Sequence, residues 1–176
     1  MELDKTALLV IDVQTAIVKD GPYKIEELLQ NINKLLAYFR KNKAEIIYVR
    51  HDDGEGTDLH RGLEGWQIQS DIAPAAGEKI IDKSFNSAFR RTGLREYLEQ
   101  KGIRTVVLTG LQTDYCVDAT CKVAFEYGYE VLVPEGTVST LDNKFLTAAE
   151  LNDFYLNHMW NNRYAKVLPL ENIISE

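Results

Sequence analysis

A chain of 176 residues with 45% hydrophobic and 27% charged side chains has the composition of an ordinary globular protein. At that length one core buries about 70% of the unfolded surface, enough to house an enclosed site. The net charge of −7 argues against a nucleic-acid partner, because such proteins carry a basic surplus. No low-complexity tract, like-charge run or Pro-rich linker divides the sequence, so residues 1–176 read as a single domain.

The opening stretch, MELDKTALLVID, has acids ahead of a short apolar run and fits neither a signal peptide nor a membrane span. Thr6 to Ile11 is a continuous apolar run too short for a helix and reads as a buried parallel strand ending at Asp12. From Lys24 to Lys43 apolar residues recur at helical spacing, and Glu45 to Arg50 is a second strand. Residues 51 to 78 are rich in Gly and Asp and only weakly periodic, which predicts a long functional loop. Trp66 and Ile68 within it favour an ordered loop that packs over something.

Lys79 to Asp82 is a short third strand, Gly93 to Lys101 a helix capped by Gly102, and Thr105 to Thr109 a strong fourth strand. Asp118 to Tyr127 is helical, Glu130 to Val133 a fifth strand, Phe145 to Trp160 a helix, and Ala165 to Leu168 a last strand. Alternating strands and helices predict a doubly wound, Rossmann-like α/β fold: a mostly parallel sheet of five to six strands with helices on both faces.

In such sheets ligands bind beyond the carboxyl ends of the strands, at the point where the strand order reverses. The residues just past the apolar runs include one carboxylate, Asp12, one ammonium, Lys83, and one thiol, Cys116. In the order 3-2-1-4-5, Asp12 and Cys116 face each other across the crevice. Cys116 opens a helix after the turn GLQTDY, where the macrodipole and a nearby lysine are expected to lower its pKa from about 8.5. Cys121, about 140° further round the same helix, reads as a buried structural cysteine. The two thiols point apart and do not pair, which suits a reducing, cytoplasmic setting.

These residues resemble the isochorismatase-like cysteine hydrolases, the superfamily of nicotinamidases and N-carbamoylsarcosine amidases. The resemblance is carried by ALLVIDVQ at 7–14, KSFNSAFRRTGL at 83–94 and LTGLQTDYCVDATCKVAFEYGYEVLVPEGTVST at 108–140. It implies an Asp12–Lys83–Cys116 triad that cleaves a small amide, carbamoyl or related C–N bond through a thioester. It also implies a cis peptide at Leu111–Gln112, an oxyanion hole from the backbone N–H groups of Gln112 and Cys116, and a homo-oligomer, dimer or tetramer. The substrate is expected to meet Trp66, Phe85, Phe89 and Tyr115, with Gln14 and His51 as polar groups near the mouth.

Nicotinamidases of this superfamily bind a metal through an Asp-x-His pair. Here that region reads His51-Asp52-Asp53-Gly54, the pair is absent, and ordered turn carboxylates with no metal and no cofactor are expected. Gly54-Glu55-Gly56 lacks the remainder of a phosphate loop. Two other readings remain at this stage: a metal-dependent nicotinamidase-type amidase, and a non-enzymatic redox or binding protein with a reactive cysteine.

Overall fold

In the computed structural model, which describes residues 2–174, every residue of the first strand, β1 (Thr6–Ile11), is buried. That is why the strand reads as an unbroken apolar run: helices cover both of its faces. Alternate side chains divide between two cores. Ala7, Leu9 and Ile11 join one, and Leu8 and Val10 the other.

The remaining strands are β2 (Glu45–His51), β3 (Lys79–Lys83), β4 (Thr105–Leu111), β5 (Glu130–Pro134), β6 (Val138–Ser139) and β7 (Lys166–Leu168). They form one seven-stranded sheet in the order β3-β2-β1-β4-β5-β7, with β6 paired to β4, and every strand pair is parallel. The doubly wound topology is as expected, and the sheet holds one strand more than the upper bound of five to six. β5 pairs with β4 only over Thr105–Val107, and the two-residue β6 takes up Gly110 and Leu111 beyond it. Two residues are too few to show a period of two.

The helices are α1 (Thr15–Lys19), α2 (Ile25–Lys41), α3 (Leu94–Gln100), α4 (Asp118–Glu126), α5 (Ala148–Asp153) and α6 (Glu171–Ile174). α2 lays Leu28, Ile32, Leu35, Leu36 and Phe39 on one face of the sheet. α3 and α4 lay Leu94, Leu98, Cys121 and Ala124 on the other. The helix expected from Phe145 starts instead at Ala148, where Thr147 and Glu150 form a capping box. It continues as a π-helical stretch, Phe154–Trp160. No helix among the described residues is long and apolar enough to cross a membrane.

Residues 52–78 are mostly turns, as expected, and they are tied to β1 and α1 through the backbone. The N–H groups of Thr15 and Ala16, unpaired within α1, donate to Gln67 O and Gly65 O at 2.9 and 3.0 Å. Gly65 is required there, because a Cβ would lie 2.4 Å from Asp58 O and 2.9 Å from Ala16 Cβ. Trp66 is buried beneath Arg50, whose guanidinium carbon lies 3.6 Å from the ring centroid. Arg50 in turn bonds Asp82 at 2.8 Å, so the loop is clamped across β2 and β3.

Candidate active site

The switch point lies between β1 and β4, which are paired from Thr6–Thr105 to Ile11–Gly110. Gly110 has a φ of 120°, and a Cβ there would lie 2.0 Å from Ile11 O. Only glycine lets the two backbones come this close at the crevice floor. Just beyond, Asp12 takes a left-handed φ of 51°, uncommon for a residue with a side chain, and this turns it out of the strand direction. The Leu111–Gln112 peptide is cis, as the resemblance implied. Thr113–Val117 then form a π-turn that leads into α4 and carries Cys116.

Strand order sets what meets here. Along the sheet edge stand Lys83 at the end of β3, His51 at the end of β2, Asp12 after β1 and Cys116 after β4. The Lys83 Nζ lies 2.7 Å from Asp12 Oδ2, 3.1 Å from Cys116 Sγ and 2.8 Å from His51 Nδ1. Lys83 is 3% exposed and Asp12 1%, so this is a buried ion pair, tolerable only because each charge meets its opposite. The approach to Oδ2 is ion-pair contact outside hydrogen-bond alignment, and neither Asp12 oxygen has an aligned hydrogen-bond donor among the described residues. Their lone pairs are open to a proton.

The expected depression of the Cys116 pKa is not what the site produces. Burial first, then the Asp12 charge, push the thiol up to about 12, against the downward pull of Lys83. Lys83 and Asp12 already neutralise each other, so a thiolate would add an uncompensated charge to a buried cluster. At neutral pH the sulfur keeps its proton beside a carboxylate. Cys121 is also pushed to about 12, by burial and by Asp118.

Asp12, His51 and Cys116 offer potential ligand atoms within 4.8 Å of one another. A metal does not fit among them, because the Lys83 ammonium stands within 3.1 Å of one atom from each. In the next turn, Asp52 Oδ1 accepts from Gly54 N–H at 3.1 Å and Arg61 N–H at 3.3 Å, as an ordered turn carboxylate does.

A cavity of about 660 Å³ is lined by His51, Phe85, Phe89, Asn86 and Arg90 among others; Cys116 is not on its wall, and reaches it through its neighbours His51 and Asn86. Asn86 Oδ1 is 4.0 Å from Cys116 Sγ. Of the six residues expected around the substrate, His51, Phe85 and Phe89 therefore border this space. The others do not. Gln14 is fully buried, and its amide is spent on backbone: Oε1 accepts from His51 N–H at 2.7 Å, while Nε2 donates to His51 O and Trp66 O, both at 2.9 Å. Trp66 is engaged by Arg50, and Tyr115 is 54% exposed.

The Isochorismatase domain profile matches residues 6–168. This chain belongs to the isochorismatase family. An isochorismatase family protein of Bacillus subtilis (strain 168), YddQ, is 30% identical over 94% of this chain and 97% of its own. Streptothricin hydrolase of Streptomyces noursei is 31% identical over 77% of this chain and 50% of its own length. The crystal structure of N-carbamoylsarcosine amidase from Thermoplasma acidophilum superposes with a TM-score of 0.75 at 27% identity, covering 95% of this chain and 97% of that one. Within this isochorismatase-family hydrolase, the profile match includes all four strand-end groups gathered around Lys83 Nζ.

Proposed function

We propose that this hydrolase cleaves a small amide, carbamoyl or related C–N bond, with Cys116 as nucleophile, Asp12 as general base and Lys83 as the cation between them. The observation that carries this reading is a single buried ammonium touching both a carboxylate and a thiol, at 2.7 and 3.1 Å, with His51 and Asn86 linking the cluster to a cavity wall.

The raised thiol pKa determines how the steps run. A protonated Cys116 is a weak nucleophile at neutral pH, so Asp12 takes the S–H proton as the sulfur bonds to the substrate carbonyl carbon. Lys83 holds the charge that the proton leaves behind. The carbonyl π electrons move onto oxygen, and the backbone N–H groups of Gln112 and Cys116 are the donors proposed for that oxyanion; one such donor is worth about 3–4 kcal/mol. As the C–N bond breaks, the amine departs with the proton from Asp12, leaving a thioester. Asp12 then takes a proton from water, the hydroxide adds to the thioester carbon, and Cys116 leaves and is reprotonated. Attack at an acyl carbon is the part of this reading that uses the thiol, and amidase relatives such as the Thermoplasma acidophilum protein support it.

The test is ammonia or amine release across a panel of small amides, ureas and carbamoyl compounds, with trapping of the acyl-enzyme by mass spectrometry. Release by wild type, none by Cys116→Ala, and an adduct on Cys116 are expected. Unimpaired turnover by Cys116→Ala would refute the assignment.

A further inference from the structure

We propose that His51 is a positioning residue for the reaction, acting through Lys83: its neutral imidazole accepts a hydrogen bond at Nδ1 that aims the ammonium at Asp12 and Cys116. The inference rests on the proposed role of Lys83 and adds a fourth member to the cluster.

Topology is the first part of the case. β2 lies between β3 and β1, and His51 is the residue paired with Lys83 in the sheet register. The lysine chain must therefore pass the end of β2 to reach Asp12, and the side chain waiting there is an imidazole.

Satisfaction of donors is the second part. A lysine ammonium has three N–H groups and no acceptor. Around Lys83 Nζ stand two hydrogen-bond acceptors, at 2.8 Å on His51 and 3.1 Å on Cys116, with an Asp12 carboxylate oxygen in ion-pair contact at 2.7 Å. Removing one leaves a donor of a buried cation unmet, and the ammonium would turn or draw in water.

The imidazole is itself held in place. An ammonium can only donate, so with Nζ at 2.8 Å Nδ1 is the accepting nitrogen. The ring hydrogen then sits on Nε2, 3.2 Å from Asp53 Oδ1, which fixes that tautomer. Gln14 grips the His51 backbone on both sides, through N–H and C=O, and Asp52 N–H bonds Lys83 O at 2.8 Å. This explains the buried Gln14: it holds the residue that holds the lysine.

Protonation at Nδ1 removes the acceptor and sets a second cation against the first. The charged and titratable groups facing the ring are Lys83 from β3, Asp12 after β1, Cys116 from the turn after β4 and Asp53 from its own loop, with Arg90 on the same cavity. Asp12 is committed to Lys83, which leaves Asp53 as the only carboxylate bonded to the ring among the described residues.

Two neutral amides of similar shape separate an aimed acceptor from mere bulk. In His51→Asn the amide oxygen falls near the place of Nδ1, and in His51→Gln it falls near Nε2. His51→Gln is expected to lose about 10²-fold in kcat, the scale of a 1 Å misplacement, with KM changed less than about threefold. His51→Asn should stay within about tenfold of wild type, and the acid limb of its kcat/KM profile should move to lower pH. A second readout needs no substrate: alkylation of Cys116 by iodoacetamide, followed by mass spectrometry. His51→Gln should slow it towards the rate of Lys83→Met, and His51→Asn should not. Equal behaviour of the two variants, or an unshifted acid limb in His51→Asn, would overturn the proposal. If no amide is turned over, the proposed function fails while alkylation still decides this point. Should His51→Gln fail to fold by circular dichroism, His51→Asn alone decides, through its acid limb and its alkylation rate.

Discussion

Cys116 and Cys121 lie one helical stretch apart and share a titration state, yet the carboxylate near Cys116, Asp12, has oxygens without hydrogen-bond partners among the described residues, while Asp118 near Cys121 is taken by Lys122 and Trp160. Both thiols are pushed up to about 12, chiefly by burial. Cys121 is fully buried in α4 among core side chains. Cys116 is 9% exposed, on the π-turn, between Asp12, Lys83 and Asn86. The difference is not acidity. In the proposed mechanism reactivity rests on the proton acceptor, and a low thiol pKa is not part of the design.

The strongest way to break this comparison is to remove each sulfur in turn. Cys116→Ala should lower turnover by more than about 10⁴-fold, the scale of losing a covalent nucleophile. Cys121→Ala should stay within about threefold, at a stability cost of about 1 kcal/mol for the small void. Ammonia release and a urea melt measure the two effects, and equal activity losses would erase the distinction.

Next in size, Asp12→Asn should lower kcat by about 10²–10⁴-fold, as loss of a general base does. Because the Asp12 charge raises the thiol pKa, the same variant should alkylate with iodoacetamide faster than wild type at pH 8. Lys83→Met should do the reverse and slow alkylation, since the ammonium is the group that lowers that pKa. Neither variant should alter the reactivity of Cys121. Slower labelling of Asp12→Asn would mean that the carboxylate is not facing the sulfur as described.

The smallest effect concerns stability at alkaline pH. Both thiols have folded-state pKa values raised above the unfolded value of about 8.5. Their contribution is fully present below about 8.5 and is lost as pH rises towards 12, because the unfolded chain ionises first. By pH 9.5 each thiol should have cost about 1 kcal/mol. Urea midpoints from pH 7 to 10 should fall for wild type, and less steeply for either Cys→Ala variant. A flat profile would show that one or both sulfurs are better solvated than their burial indicates.

Much of the fold was legible because buried parallel strands write themselves as apolar runs. TALLVI, EIIYVR and TVVLT gave β1, β2 and β4 to within two residues. Once the order 3-2-1-4-5 was assumed, Asp12, Lys83 and Cys116 had to gather at one edge, and they do. Other features leave no trace in a local pattern. A two-residue strand has no period, and the i-to-i+5 bonding of Thr113–Val117 is not a sequence spacing. Gln14 looked like a polar group at a mouth because its partners are backbone atoms of residues 51 and 66, far along the chain. The helix dipole and a nearby lysine are legible in the sequence and point to a lowered thiol pKa, while the burial and the aspartate charge that raise it exist only in the folded chain. His51 was placed near the site, but its bond to Lys83 depends on how far a lysine reaches across a strand.

Gly110 sets the distance over which this chemistry operates. With Ile11 O only 2.0 Å from the place of a missing Cβ, the gap between the strand that leads to the proposed base, Asp12, and the strand that leads to the proposed nucleophile, Cys116, is fixed by bare backbone. A mutation that adds even one methyl group there cannot be absorbed by a rotamer and must drive the strands apart. The reacting pair is therefore closed to gradual adjustment, and changes in what the enzyme accepts are left to residues such as Phe85, Asn86 and Arg90 on the cavity wall. Evolution can redraw the mouth of this site while its floor stays as it is.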